Sequence, residues 1–144
     1  MLGQMRRLAL ICLLFVSPLC LIKLQAQSVF PSHEGELIKY TAYIEMPHAY
    51  ISGVSVLLKE DNLIKGCLFN EFGITALDFT YDPNRQKVKL HSILKMMDKW
   101  YIRRVIRKDI AQLMIRLQNG VTQYQNERHH IQYQFLPIKD EVIK

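Results

Sequence analysis

The sequence predicts an α+β fold: a curved antiparallel β-sheet, a meander of half-barrel shape, covered on its concave face by one long amphipathic helix. Three observations predict it. Between residues 36 and 94, apolar and polar side chains alternate in short runs, which is the period of half-buried strands. Short turns separate the runs, and short turns force neighbouring strands to be antiparallel. Near Trp100 the apolar period lengthens to three and four residues, which is typical of a helix with one apolar face.

Five strands are predicted before the helix, over residues 36–46, 50–59, 63–69, 74–81 and 87–94. Pro47 should end the first strand, because proline cannot donate a hydrogen bond to a sheet. Gly53 is expected to mark a bulge in the second strand. Polar turns at 70–73 and 82–85 bound the fourth strand, and Gly73 is expected to adopt positive φ. The five strands should therefore follow one another as a meander.

The helix is predicted over residues 98–118, with Asp98 as its N-cap and Gly120 as the left-handed residue that ends it. Two further strands are predicted at 121–125 and 131–136. The apolar stripe of the helix consists of Ile102, Val105, Ile106, Ile110, Leu113 and Leu117. We expect this stripe to pack on Val54, Val56, Leu58, Leu77, Phe79 and Tyr81.

Residues 1–26 have the features of a secretory signal peptide. Two arginines precede an unbroken apolar run at 8–16, and Ala26 supplies a small residue at the predicted cleavage site. An uncleaved membrane anchor and lipidation at Cys20 are the alternatives. The segment predicts export across the inner membrane, to the periplasm or to the outer membrane.

The rest of the chain is predicted to form one domain over residues 36–137, after a loosely packed lead-in at 27–35 and before a frayed tail at 138–144. Cleavage would leave Cys67 as the remaining cysteine, and its apolar neighbours favour a small buried side chain over a reactive thiol. The leader holds three basic residues and no acidic one, so its loss lowers the formal net charge from +6 to +3. That charge is too mild to indicate a nucleic-acid partner.

No residue spacing predicts catalysis or metal binding. Adjacent histidines such as His129 and His130 would point to opposite faces of a strand, which favours surface positions over a metal site. Glu71 and Asp78 are close in sequence, but they are expected in a turn and on the polar face of a strand rather than in a cleft. We therefore predict no catalytic residue, no metal and no cofactor, and expect a protein that is not an enzyme.

The order of these elements, with the strings SGVSVLLKEDN and LFNEFGITALDFTYD followed by a lysine-rich strand and a basic helix, resembles a known family. It is similar to small secreted bacterial proteins related to the lipoprotein carrier and receptor of the outer-membrane lipoprotein-sorting system. The resemblance covers residues 37–117. It implies an unclosed curved sheet with helices on its concave side, a fold that shelters acyl chains in that family. No residue here matches the arginine with which the carriers close their lid, so no functional residue is transferred.

From the resemblance we expect a non-enzymatic secreted or periplasmic protein that binds a lipid or lipoprotein acyl chain between sheet and helix. The candidate lining residues are Val54, Val56, Leu77, Phe79, Ile102, Ile106 and Leu113. The same side chains can instead form a filled core, since small domains fill their interiors. The alternative function is an envelope accessory or assembly protein that acts through surface contacts without a bound ligand.

The polar face of the predicted helix suggests a second partner, an anionic membrane surface. Its candidate contact residues are Lys99, Arg103, Arg104, Arg107 and Lys108. Trp100 and Tyr101 begin this face, and aromatic side chains beside a basic stripe suit a lipid–water interface. A solvated helix face is the alternative, because charges on helices commonly serve that purpose.

Overall fold

The computed structural model describes residues 29–139, so the predicted signal peptide and residues 140–144 of the predicted tail lie outside the described residues. Within that range the chain forms seven strands and one α-helix, with a 3₁₀ turn at Lys95–Met97. The elements are β1 (Leu37–Met46), β2 (Ala49–Glu60), β3 (Leu63–Asn70), β4 (Thr75–Asp82), β5 (Lys87–Ile93), α1 (Trp100–Gln118), β6 (Gln123–Asn126) and β7 (Ile131–Pro137).

The strands form one antiparallel sheet in the order β5-β4-β3-β2-β1-β7-β6. The first five strands follow one another as the predicted meander. The chain then crosses the concave face as α1, and β7 pairs with β1 on its free side. The helix contacts the edge strand β5 on one side and the edge strand β6 on the other. The predicted α+β architecture, a curled half-barrel covered by one amphipathic helix, is confirmed.

The core lies between the inward faces of the strands and the apolar face of α1. Alternation predicted the inward face of β4 correctly, because Leu77, Phe79 and Tyr81 are all buried. Ile106 and Ile110 on the helix are fully buried as well. The period-two and period-3.6 patterns thus identified two of the surfaces that meet in the core.

The prediction for β2 was wrong. Val54 is 40% exposed, and Val56 and Leu58 are half-buried. The side chains of β2 that enter the core are instead Ile51 and Leu57, together with a buried serine. Val54 and Val56 therefore lie on the face of the sheet turned away from the helix, and they cannot line a space between sheet and helix.

The register with β1 explains this reversal. Residues directly opposite one another in a sheet point to the same face, and β1 pairs Tyr40 with Ser55 and Ile44 with Ile51. The fully buried Tyr40 faces the small, fully buried Ser55 across the pair. Because β2 is apolar on both faces, its own pattern could not choose between them.

Gly53 does not mark the predicted bulge, and instead it lets the backbones of β2 and β3 approach closely. The register of β2 runs without interruption past Gly53, which pairs with Ala42 on one side and Asn70 on the other. A Cβ atom at this position would overlap the carbonyl oxygen of Phe69 and lie 2.8 Å from its carbonyl carbon. Only glycine therefore fits between β2 and the end of β3.

The start of α1 differs from the prediction. Its first residue is Trp100, and the flanking Lys99 makes no side-chain cap. Asp98 is not the N-cap, because it lies one residue before that position and closes the preceding 3₁₀ turn, where its backbone N–H donates to the carbonyl of Lys95 at 3.2 Å. The Asp98 carboxylate accepts a hydrogen bond from Arg103 Nη1 at 2.9 Å instead.

The predicted glycine positions at the ends of elements are confirmed. Gly120 has φ +80° and lies just beyond α1, where Val121 N donates to the carbonyl of Arg116 at 2.8 Å in a Schellman arrangement. Gly73 has φ +75° in the turn between β3 and β4. There Asn70 Oδ1 accepts from the backbone N–H of Ile74 at 2.9 Å, which closes the turn.

The segments that flank the sheet are tied to it. Pro31 in the lead-in is buried, and Gly35 N donates to the carbonyl of Lys59 on β2 at 2.7 Å. After β7, Ile138 N donates to the carbonyl of Lys39 on β1 at 2.9 Å. The described part of the lead-in is thus held against the sheet rather than loosely packed, and the predicted tail is still anchored at its first residue.

Candidate functional site

An apolar hollow of about 420 Å³ opens at one end of the half-barrel. It lies where the β1–β2 turn, the 3₁₀ turn, the first turns of α1 and the β6–β7 turn come together. Its lining consists of Met46, Pro47, His48, Ala49, Met96, Met97, Tyr101, Ile102, Val105, Ile106, His129 and Ile131. This volume falls within the range of about 300–1,000 Å³ that is usual for small-molecule sites.

Local sequence explains how the hollow is built. Pro47 ends β1 and forces the chain to turn before β2, so this hairpin end forms one wall. Ile102 on α1 is half-buried and forms part of the opposite wall, while the fully buried Ile106 continues into the core. Met96 and Met97 come from the 3₁₀ turn, and methionine side chains adapt to ligands of irregular shape.

Three large apolar side chains, which we call the apolar rim, stand at this end of the molecule. Phe72, Trp100 and Met96 are 85%, 75% and 73% exposed, more than any other large apolar side chain of residues 29–139. Phe72 and Met96 border a second depression that shares His48 and Ala49 with the hollow. Because exposed apolar clusters mark interaction surfaces, the open end is the part of this fold best suited to apolar contact.

A wider depression of about 830 Å³, which we call the basic groove, adjoins the hollow. Its cationic lining comes from Arg104 and Lys108 on α1 and from Arg128 in the β6–β7 turn. None of these three forms an ion pair with another described residue. The hollow and the basic groove share Tyr101, Val105 and His129.

A buried carboxylate ties α1 to the last two strands beneath the groove. Asp109 is only 3% exposed, and its Oδ2 accepts a hydrogen bond from Tyr133 Oη at 2.7 Å. Asn126 Nδ2 lies 2.9 Å from Oδ1 and 3.0 Å from Oδ2 of the same group. Burial raises the pKa of Asp109, while the hydrogen bonds from Tyr133 and Asn126 and the charge of His129 oppose that rise.

This raised pKa predicts how stability depends on pH. The folded protein keeps the proton on Asp109 up to a higher pH than the unfolded chain does. At pH values between the unfolded pKa of an aspartate, about 3.9, and the higher pKa of folded Asp109, the folded state therefore binds more protons than the unfolded state. The wild-type free energy of unfolding, measured relative to that of Asp109→Asn, should therefore fall as the pH rises above about 4. Urea unfolding of both proteins between pH 4 and 7 measures this difference. A difference that stays constant, or that grows with pH, would contradict the prediction.

The structure separates the seven candidate lining residues into three groups. Two of them, Ile102 and Ile106, line the hollow. Three are buried in the core and do not border the hollow: Leu77, Phe79 and Leu113. The remaining two, Val54 and Val56, lie on the outer face of the sheet, as described above. The apolar hollow is thus at the end of the half-barrel rather than along the interface between sheet and helix.

Of the five basic residues predicted for membrane contact, Arg103 is tied to the protein and the other four are exposed. Arg103 is held by the Asp98 carboxylate at 2.9 Å and donates through Nη2 to the carbonyl of Leu90 at 3.2 Å. Arg107 lies toward β5, beside Val88. The four that remain exposed are Lys99, Arg104, Arg107 and Lys108.

Sequence reasoning missed Asp109, Arg128 and the role of His129. The sequence does mark Asp109 as unusual, because it lies four residues after Val105 and four before Leu113, inside the apolar stripe of the helix. A carboxylate at such a position has to find buried partners. Arg128 and His129 carried no signal, because only the pairing of β7 with β1 brings their turn beside α1.

The carboxylates and the thiol considered from the sequence do not assemble into a reactive site. Glu71 lies in the β3–β4 turn and accepts a hydrogen bond from Ser52 Oγ on β2. Asp78 is exposed on the outer face of β4, opposite the half-buried Cys67. Burial, and then the charge of Asp78, raise the pKa of the Cys67 thiol, which disfavours its reactive thiolate.

All five histidines are exposed, and His129 and His130 lie in the turn between β6 and β7 rather than on a strand. Within residues 29–139, no group of three or more histidine, cysteine, aspartate or glutamate side chains is arranged to hold a metal ion. The described helices include none with the length and apolar character needed to cross a membrane.

The fold and the hollow define a class of structure: a small α+β protein in which a curled antiparallel sheet and one covering helix leave an apolar pocket open at one end. No family model matches the chain, and comparisons with curated proteins and with solved structures found no significant match. The resemblance to the lipoprotein-carrier family therefore stays a prediction.

Proposed function

We propose that this chain is a non-enzymatic secreted or periplasmic protein that binds a lipid or a lipoprotein acyl chain in the apolar hollow. The observation that carries the proposal is the chemistry of the lining. Nine of the twelve lining residues have hydrocarbon or thioether side chains, and the others are Tyr101, His48 and His129. A site of this kind, open beside the apolar rim, is suited to an extended apolar ligand.

Desolvation favours an acyl chain over a polar ligand in the hollow. Apolar surface gains about 25 cal/mol for each Å² that leaves water. A polar group without a partner instead costs roughly 1–3 kcal/mol when it is buried. The hydrogen-bonding side chains at the hollow are few, and His48 and His129 are both exposed to water. The methylene groups of a lipid would therefore occupy the walls, and any polar end would remain near the opening.

The apolar rim gives the ligand a route from a membrane. Trp100 follows Lys99, and an exposed tryptophan beside a lysine suits the headgroup region of a bilayer. Phe72 and Met96 stand on separate turns of the same end. Contact of this end with an anionic membrane surface, helped by the exposed cations of α1, would place the mouth of the hollow against the lipid. Export by the predicted signal peptide would bring the chain to such a membrane.

Filling the hollow should weaken ligand binding without unfolding the protein. We expect Ile102→Phe to bind a fluorescent fatty acid at least tenfold more weakly than the wild type, because the added ring occupies space that the acyl chain needs. Val54→Phe is the matched control, since it enlarges an apolar side chain on the outer face of the sheet. Fluorescence titration measures affinity, and circular dichroism checks the fold. Equal binding by Ile102→Phe and the wild type, or a wild type that binds no acyl probe, would contradict the proposal.

The second candidate function is an envelope accessory protein that acts through surface contacts without a ligand. The observation that favours it is the exposure of the apolar rim, which a partner protein could cover as well as a membrane. Native mass spectrometry of the purified protein separates the two functions. A co-purifying acyl species supports lipid binding, whereas a ligand-free protein that also takes up no added fatty acid supports the contact role.

A further inference from the structure

We propose that the ligand is an anionic amphiphile, whose phosphate or carboxylate head binds in the basic groove while its acyl chain lies in the hollow. This inference rests on the proposed function, and it adds the chemical class of the ligand. It depends on two observations, the continuity of the two depressions and the unpaired positive charge of the groove.

The two depressions form one connected surface. Tyr101 and Val105, one turn apart on α1, line both of them, and so does His129 from the β6–β7 turn. An extended molecule that leaves the hollow between these residues enters the basic groove directly. The ligand therefore meets an apolar wall first and a cationic wall next, which is the order of an acyl chain and its head group.

The charge of the groove is not neutralised by the protein. Arg104, Lys108 and Arg128 line it, and within residues 29–139 none of them forms an ion pair. Asp109 is the one acidic residue among the lining residues. Asp109 is 3% exposed and its carboxylate is already held by Asn126 and Tyr133, so it does not pair with these cations.

The types of cation also suit a head group with several oxygens. An arginine presents a planar fork of N–H donors that matches a phosphate or a carboxylate, whereas a lysine adds a flexible point charge. Arg104 and Arg128 come from α1 and from the β6–β7 turn, on two sides of the same groove. Three separate cations around one depression that touches an apolar hollow favour an anionic head over a neutral one.

The test compares two probes of equal acyl length, a lysophosphatidic acid and the corresponding monoacylglycerol, both below their micelle concentrations, with inorganic phosphate as a third probe. We expect the wild type to bind the lysophosphatidic acid at least tenfold more tightly than the monoacylglycerol. The triple variant Arg104→Ser/Lys108→Ser/Arg128→Ser should lose that preference and keep its affinity for the monoacylglycerol. The control Lys39→Ser/Lys89→Ser/Lys139→Ser makes the same change of net charge at exposed positions outside the groove and should keep the preference.

Each other outcome has its own meaning. Equal affinity of the wild type for both lipids would overturn the inference and leave the proposed function intact. A wild type that binds neither lipid would reject the proposed function itself. If inorganic phosphate alone binds as tightly as the lysophosphatidic acid, the groove is a site for free anions and the amphiphile is ruled out. Loss of the preference in the control variant would show that the preference for the anionic lipid depends on net charge and not on the groove. That result would also overturn the inference.

Discussion

Replacing Gly53 with alanine is expected to destabilise the protein by about 3 kcal/mol or more, at the upper end of the usual cost of overpacking. The new Cβ would overlap the carbonyl oxygen of Phe69 and approach the carbonyl carbon of Phe69 and the Cα of Asn70 to 2.8 and 2.9 Å. These atoms belong to the backbone of β3, so no side-chain rotation can relieve the overlap. The strands β2 and β3 would have to separate at this point. Thermal unfolding should show a melting temperature lower by roughly 10 °C or more.

Gly73→Ala is the matched control for this substitution. Gly73 has φ +75°, and a Cβ atom there would meet nothing within 4 Å. Its replacement should cost only the strain of a left-handed alanine, about 1–2 kcal/mol. If Gly53→Ala proves no more harmful than Gly73→Ala, the close approach of β2 to β3 does not exist as described.

Truncating Phe79 to alanine is expected to cost about 3–5 kcal/mol in the free energy of unfolding. Phe79 is 1% exposed, and its ring covers Gly66 on the neighbouring strand. A Cβ atom at Gly66 would lie 2.7 Å from Cε1 of this ring, so the ring occupies the space that the glycine leaves open. Loss of the ring removes apolar burial and opens a cavity beside β3. Urea or thermal unfolding measures the effect.

The same variant also tests where the ligand binds. Phe79 does not border the hollow, so at temperatures where Phe79→Ala stays folded its affinity for an acyl probe should match that of the wild type. Val54→Ala is the control for stability, because Val54 is 40% exposed and its truncation should change the unfolding free energy by less than about 1 kcal/mol. A large loss of affinity in folded Phe79→Ala would show that the ligand binds between sheet and helix and not in the hollow.

The loss of stability and the unchanged ligand affinity that we expect for Phe79→Ala have a common cause. The space between sheet and helix is filled around this ring. Phe79 covers Gly66, and Tyr81 reaches the end of α1, where its hydroxyl lies 3.4 Å from Gln118 Oε1. Tyr40 occupies the space above the small Ser55 on the other half of the sheet. Large aromatic side chains opposite small ones fill this part of the interior. Free volume for a ligand remains at the open end, where the strands stop and their turns diverge.

Strand and helix positions followed from local pattern with errors of only a few residues. β4 has one apolar and one more polar face, so alternation assigned its inward side correctly. β2 has valine and leucine on one face and isoleucine, serine and leucine on the other, so its inward face depended on register with β1. The predicted N-cap at Asp98 was wrong because α1 begins at Trp100, and the Asp98 carboxylate accepts a hydrogen bond from Arg103 instead.

The sequence by itself determined the class of the fold, the order of its elements and the apolar character of its inward faces, because these follow from periodicity and composition along the chain. Only the tertiary structure decided where the hollow and the basic groove lie. Pairing of β7 with β1 brings Arg128 and His129 beside α1. The core closes over Leu77 and Phe79, which leaves the hollow at the end near Ile102. Such placements depend on contacts between residues far apart in the chain, and no local pattern encodes them.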